Sequence, residues 1–247
     1  MAVGLAPARL ARISTWMRRY VDGGLLAGAV VAVARRDRVA FMDWCGVQDI
    51  ETGVPMTPET IVRIYSMSKP VTTVAALMLY EEGCFQLDDP VSKFIPALGN
   101  MEVFVGGDGS APTTVKTERD FTVRELMNHT SGLTYGFMEA TVVDEIYREQ
   151  GIDFQASDRP LVELVEKLGD VPLLAEPGSQ WNYSVATDVL GHLIEIWSGI
   201  SLETFLEERV FAPLGMLDTG FHVPEQKWGR FASNYRRRSN GELATLD

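Results

Sequence analysis

Hydrophobic positions along the chain switch period several times, and the switches set out the predicted elements. Between Met1 and Tyr20, Leu10, Ile13, Met17 and Tyr20 recur at helical spacing with arginines between them. Leu25 to Arg35 is rich in Ala and Val, Arg36-Asp37-Arg38 is a polar turn, and Val39 to Gly46 resumes with Val, Phe and Trp, which predicts a β-hairpin. Turn material at Glu51-Thr52-Gly53 and Pro55 to Pro58 leads into Ile61 to Tyr65, a short apolar run expected to be a strand ending at Ser66. From Met67 to Glu82 the pattern becomes helical, with Val71, Val74, Ala75, Met78 and Leu79 on one face and Gly83 as its stop.

Residues 97 to 119 carry Gly99, Gly106, Gly107, Gly109 and Pro112 with little periodicity, and read as an excursion over the surface. Helical patterns follow at Thr122–Asn128, Met138–Gln150, Asp158–Leu168, Ala186–Trp197 and Leu202–Val210. The order is therefore one helix, a few strands and a mainly helical region running almost to the end. Residues 1–85 are expected to form one part of the molecule and residues 86–247 a helical lobe. Three strands make a poor sheet alone, so further strands are expected from a missing C-terminal segment or a second polypeptide.

Composition narrows the function classes. The 247 residues hold 22 Lys+Arg against 34 Asp+Glu, a net charge of −12, which argues against nucleic acid and anionic membrane surfaces as partners. Arg236-Arg237-Arg238 is too short a run to change that and reads as a solvated face. The longest weakly polar run, Gly23 to Ala34, is too short to span a bilayer. The N-terminal stretch reads as a structural helix rather than a signal, so a cytoplasmic location is expected. Cys45 and Cys84 have apolar or small neighbours and read as two buried thiols. His192 and His222 show no acidic or His partner at ligand spacing, so no metal and no cofactor are expected.

The chemistry concentrates at Ser66-Met67-Ser68-Lys69-Pro70, where the predicted strand gives way to the helix. A Ser and a Lys three apart share one helix face, which brings the amine within reach of the hydroxyl. Unpaired N–H groups in the first turn favour an alkoxide or oxyanion. With thirteen serines and five lysines, chance supplies about a quarter of one such spacing, so position carries more weight than spacing. Asp88-Asp89-Pro90 reads as a turn and cap rather than an acid-base pair.

A second segment, Glu176-Pro177-Gly178-Ser179-Gln180-Trp181-Asn182-Tyr183-Ser184, precedes a helix with Val189, Ile194 and Trp197 on its stripe. Together with Leu126 to Leu133 (Leu-Met-Asn-His-Thr-Ser-Gly-Leu) and Pro213 to Thr219, these segments resemble the serine β-lactamase and penicillin-binding-protein superfamily. The resemblance is nearest to the class C β-lactamase-like esterases known as family VIII carboxylesterases, and runs from about residue 10 to about residue 235.

It implies an α+β fold, with an antiparallel sheet flanked by helices and a mainly helical lobe, in which the C-terminal strands are absent from this chain. It also implies that Ser66 is an acylated nucleophile, with Lys69 and Tyr183 as its acid-base pair, acting on a small ester. Tyr and Lys serve in this way only if their ordinary values near 10 are lowered. By the same resemblance Tyr135, Gly136 and Phe137 border the acyl pocket, and His129 belongs to a turn.

Val185 stands where the β-lactamases have Asn, which favours esters over β-lactams. The third motif, a strand completing the oxyanion hole, has no convincing match. Trp228-Gly229-Arg230 is near it in letters but precedes no expected strand pair. Alternatives within the superfamily are a β-lactamase, a D-alanyl peptidase or an acyltransferase; outside enzymes, the alternative is a binding protein on the same fold.

Overall fold

The computed structural model describes residues 3–152, 154 and 159–246. Met1, Ala2 and Asp158, at the ends of two expected helices, lie outside the described residues. The chain divides into two compact units, one of residues 1–65 with 220–247 and the other of Ser66–Thr219. The helix after Ser66 thus belongs with the helical lobe rather than with residues 1–65, because it packs along a later helix of that lobe.

In the first unit, α1 (Pro7–Asp22) starts on a proline, whose missing N–H costs nothing in a first turn, and buries Met17. It packs on a hairpin of β1 (Gly28–Arg35) and β2 (Arg38–Gly46), paired antiparallel from Gly28↔Gly46 to Arg35↔Arg38. Arg36 and Asp37 both turn through positive φ, the two-residue connection that suits the twist of paired strands.

Ile61–Tyr65 is not a strand. Only Ile61 is paired, bridging Phe231 in parallel, and Tyr65 turns to φ 44° to enter a 3₁₀ turn, Tyr65–Met67. Trp228-Gly229-Arg230 lies in another 3₁₀ turn, Glu225–Arg230. Contrary to expectation a strand pair does follow it, β5 (Tyr235–Arg237) with β6 (Leu243–Thr245), where Arg236 and Arg237 are exposed.

The second unit holds the main hydrophobic cluster, from Ala75 to Phe211. Its centre is α2 (Ser68–Glu81) against α6 (Ala186–Ser198). Helix α2 buries Thr72, Ala75, Ala76 and Leu79, while Val74, expected inside, is 50% exposed.

Residues 97 to 119 are not a loop. They form β3 (Glu102–Asp108) and β4 (Ala111–Lys116), joined by a turn in which the Asp108 carboxylate accepts from the N–H groups of Ser110 and Ala111. Leu173 pairs with the other edge of β3 through Phe104 N–H to Leu173 O at 2.9 Å and Leu173 N–H to Glu102 O at 2.8 Å. A register shift between Phe104 and Gly106 breaks the alternation that would have announced the hairpin.

Two capping boxes fix helix starts. Thr122 and Glu125 open α3 (Val123–Met127), and Thr141 and Asp144 open α4 (Val142–Glu149), four residues after the helix expected from Met138. Then come α5 (Leu161–Lys167) and α7 (Leu202–Leu206), the latter running into a π turn at Glu207–Phe211.

Among the described residues each sheet has two strands, and no helix is long and apolar enough to cross a membrane. The thiols are not both buried. Cys45 is partly exposed, and Cys84, in the turn just past Gly83, is exposed.

Candidate active site

All three residues of the expected Ser-Lys-Tyr set, together with Tyr135 and Phe137, lie in the second unit. Ser66 sits in the 3₁₀ turn that feeds α2, directly after Tyr65, whose φ of 44° is a strained conformation for a bulky residue. Lys69 follows one turn later with its side chain half-buried, while Ser66 remains exposed. Ser68, the other serine of the motif, opens α2 and receives the Thr72 hydroxyl on its carbonyl at 3.1 Å.

Tyr183 reaches this turn from a separate segment, held by a clasp between residues 129–134 and 174–185. The clasp consists of Leu174 N–H to Gly132 O (2.7 Å), Gly178 N–H to Thr130 O (2.8 Å), Asn182 N–H to His129 O (2.8 Å) and Val185 N–H to Thr134 O (3.2 Å). The Asn182 side-chain amide adds a bond to Leu133 O at 2.9 Å. Two glycines make the close approach possible. A Cβ on Gly132 (φ 86°) would fall 2.2 Å from Ala175 O, and one on Gly178 (φ 82°) 2.8 Å from Glu125 Oε1. Under the clasp, Arg119 grips Glu125 with both guanidinium arms, at 2.5 and 2.8 Å, and also donates to Pro177 O.

The result is a compact set of groups. Ser66 Oγ lies 2.5 Å from Tyr183 Oη. Lys69 Nζ stands 4.6 Å from the centre of the Tyr183 ring and donates to Tyr135 Oη at 3.1 Å. Asp188, on the first turn of α6, is close enough to both Tyr135 and Lys69 for their charges and protons to influence one another.

The electrostatics separate the two tyrosines. Burial pushes the Tyr183 phenol up, but hydrogen bonds from Lys69 and Ser66 and the Lys69 charge outweigh it, leaving Tyr183 below its ordinary value. Tyr135 goes strongly the other way, through burial first and then the Asp188 and Tyr183 charges, so it stays protonated. Asp188 is raised to about 6 by burial, partly offset by Lys69. One phenol is thus prepared to lose a proton and the other to keep it.

Tyr135, expected only as pocket lining, is a buried partner of Lys69, whereas Phe137 packs on its ring at 4.7 Å and is 51% exposed. Asp188 is the member that sequence reasoning missed. Its only trace is an acid on the first turn of the helix after the Tyr183 segment. His129 does occupy a turn, at φ 59°, and its Nδ1 lies 3.3 Å from Ser184 Oγ. His192, expected to lack an acidic partner, meets Glu195 at 3.1 Å. Among the described residues no group of three or more His, Cys, Asp or Glu is placed to hold a metal.

Ser66, Lys69 and Tyr183 are thus brought together in one cluster, and comparison with known proteins gives the family. The Beta-lactamase family model matches residues 13–246, and the chain belongs to that family. It is 38% identical over 220 residues to Protein Rv1367c of Mycobacterium tuberculosis, covering 89% of this chain and 54% of that one. It is 37% identical over 212 residues to Esterase EstB of Burkholderia gladioli, covering 85% and 50%. Among solved structures, EstCE1, described as a hydrolase with promiscuous acyltransferase activity, superposes with a TM-score of 0.83 at 32% identity, over 96% of this chain and 59% of that one. The chain spans about half the length of the curated relatives it matches.

Proposed function

We propose that the protein is a serine hydrolase that cleaves small carboxylic esters through an acyl-enzyme at Ser66. The observation that carries the proposal is the 2.5 Å contact between Ser66 Oγ and Tyr183 Oη, with the Lys69 amine over the same phenol ring. A serine is a weak nucleophile until a base takes its proton, and the phenolate that a lowered pKa favours, in direct contact with the hydroxyl, is such a base.

Ser66 Oγ bonds to the ester carbonyl carbon as its proton passes to Tyr183, and the tetrahedral oxyanion forms where the first-turn N–H groups of α2 favour negative charge. Tyr183 returns the proton to the leaving alkoxide. Water, deprotonated by the same group, then attacks the acyl-enzyme, and Tyr183 hands that proton to Ser66 Oγ as the bond to the acyl carbon breaks and the acid is released. Lys69 stabilises the phenolate at each stage, and the Tyr135–Asp188 pair holds the amine in place.

The resemblance to Esterase EstB supports the ester reading, and Val185 in the position of the β-lactamase Asn supports it over β-lactams. A second reading, transfer of the acyl group to an alcohol instead of water, is supported by the activity attributed to EstCE1. Completion of the hairpin sheet, and of the oxyanion hole, by strands from outside the described residues or from a second polypeptide belongs to the same proposal. It is supported by the unpaired outer edges of β1 and β2. A cytoplasmic setting, in which two free thiols stay reduced, is also part of it.

The test is Ser66→Ala. Turnover of p-nitrophenyl butyrate should fall at least about 10³-fold, and the mass increment from a fluorophosphonate probe should vanish. Retention of full turnover overturns the proposal. Transfer to added butanol in place of hydrolysis would identify the second reading.

A further inference from the structure

We infer that His129 is a positioning residue for Tyr183, acting through its ring and not only through the turn it occupies. This rests on the reading of Tyr183 as the proton carrier for Ser66. Four successive residues of the Tyr183 segment meet His129. Its carbonyl accepts from Asn182 N–H at 2.8 Å, its Nδ1 lies 3.3 Å from Ser184 Oγ, and its ring sits 5.1 Å from the Tyr183 ring and 6.1 Å from that of Trp181.

Trp181 is 65% exposed and Ser184 fully buried, so the imidazole spans the segment from its outer edge to its root. The ring is kept neutral by burial first and by the Lys69 charge second, which lets it pack beside the phenol without adding a second cation next to Lys69.

The backbone explains why an ordinary turn residue would not reveal this. At φ 59° the position suits Gly, Asn or Asp, and Asn could also reach Ser184 with its short polar side chain. If the turn were the whole role, Asn would serve as well as His. A role in placing Tyr183 needs the aromatic ring, which Asn lacks, because 0.5 Å or so of drift in a reacting group is enough to slow chemistry.

The experiment compares His129→Asn and His129→Ala with the unaltered protein by thermal melting, p-nitrophenyl butyrate kinetics and the rate of fluorophosphonate labelling at Ser66. His129→Asn should melt within a few degrees of the unaltered protein, with KM changed less than about twofold, while kcat and the labelling rate fall about tenfold or more. His129→Ala, which loses the αL preference as well, should lose both stability and rate. Unchanged kcat and labelling in His129→Asn overturn the inference, as does a fall confined to KM. Failure of the ester reading is a separate outcome, since it would show as turnover surviving Ser66→Ala.

Discussion

The two units of this chain are built on opposite principles. Residues 66–219 place nearly all of the buried hydrophobic side chains in one cluster around α2 and α6, and the whole Ser-Lys-Tyr set stands on that support. Residues 1–65 with 220–247 bury few apolar side chains, among them Val3, Met17, Met56, Ile61 and Ala232, and their hairpin carries apolar groups on both faces. Charge divides in the same way. The first unit has 13 Lys+Arg against 9 Asp+Glu, the second 9 against 25. The acidic unit is the one that carries the candidate site, and its field disfavours the approach of anions, which agrees with the uncharged ester proposed as substrate. Positioning of reacting groups to fractions of an ångström calls for a stiff, fully packed support, and only the second unit supplies one.

The largest stability effect expected from this contrast is at Leu193 on α6, which is wholly buried in the cluster. Leu193→Ala leaves a cavity and should cost about 2–5 kcal/mol, read as a lower urea midpoint at unchanged slope. A loss below about 1 kcal/mol would break the comparison, since the cluster would then be no better packed than the hairpin.

Asp188→Asn sharpens it through pH. Because burial raises this carboxyl to about 6, above its ordinary 3.8, ionising it works against folding. The penalty is absent below about pH 4, grows as pH rises towards 6 and is complete above that. Two units or so correspond to at most about 3 kcal/mol. Asparagine carries no such charge, so the stability of Asp188→Asn relative to the unaltered protein should rise between pH 4 and pH 7. The same variant should lower kcat, because Tyr135 loses its carboxylate partner and Lys69 its nearby anion, and should remove any activity inflection near pH 6. A stability difference that stays flat from pH 4 to 7 would place Asp188 outside the coupled set.

How far the sequence foretold this depended on the range over which each feature is encoded. Helices α2, α3 and α6 announce themselves by period, and the structure adds the exchange between Thr122 and Glu125 that fixes the start of α3. The hairpin of β3 and β4 was hidden because the register shift after Phe104 interrupts its alternation, and β5 and β6 because three residues are too few to show one. At the site, Ser66 and Lys69 are one helical turn apart and could be read directly. Tyr183 was reached only through resemblance, since what brings it to Ser66 is a set of backbone bonds between segments about fifty residues apart. Asp188 left only the faint local sign of an acid in the first turn of α6. Its raised pKa is a property of three segments meeting, and no spacing within one of them encodes it.

The smallest effect belongs to the outer face of the hairpin, and it bears most directly on what the first unit is for. Trp44 pairs across the strands with Val30 and is 43% exposed, as is Met42 two residues before it. An exposed cross-strand pair contributes about 0.2–1 kcal/mol, so Trp44→Ser should cost less than about 1 kcal/mol and leave ester turnover unchanged. The same change removes the largest side chain from an apolar face, and the variant should be less prone to self-association at high concentration. The informative result is the opposite one. If Trp44→Ser destabilised the protein as much as Leu193→Ala, this face would be covered in solution by something outside the described residues. The first unit would then be half of a packed layer rather than a loosely packed one, and the contrast between the two units would reduce to what each has been given to pack against.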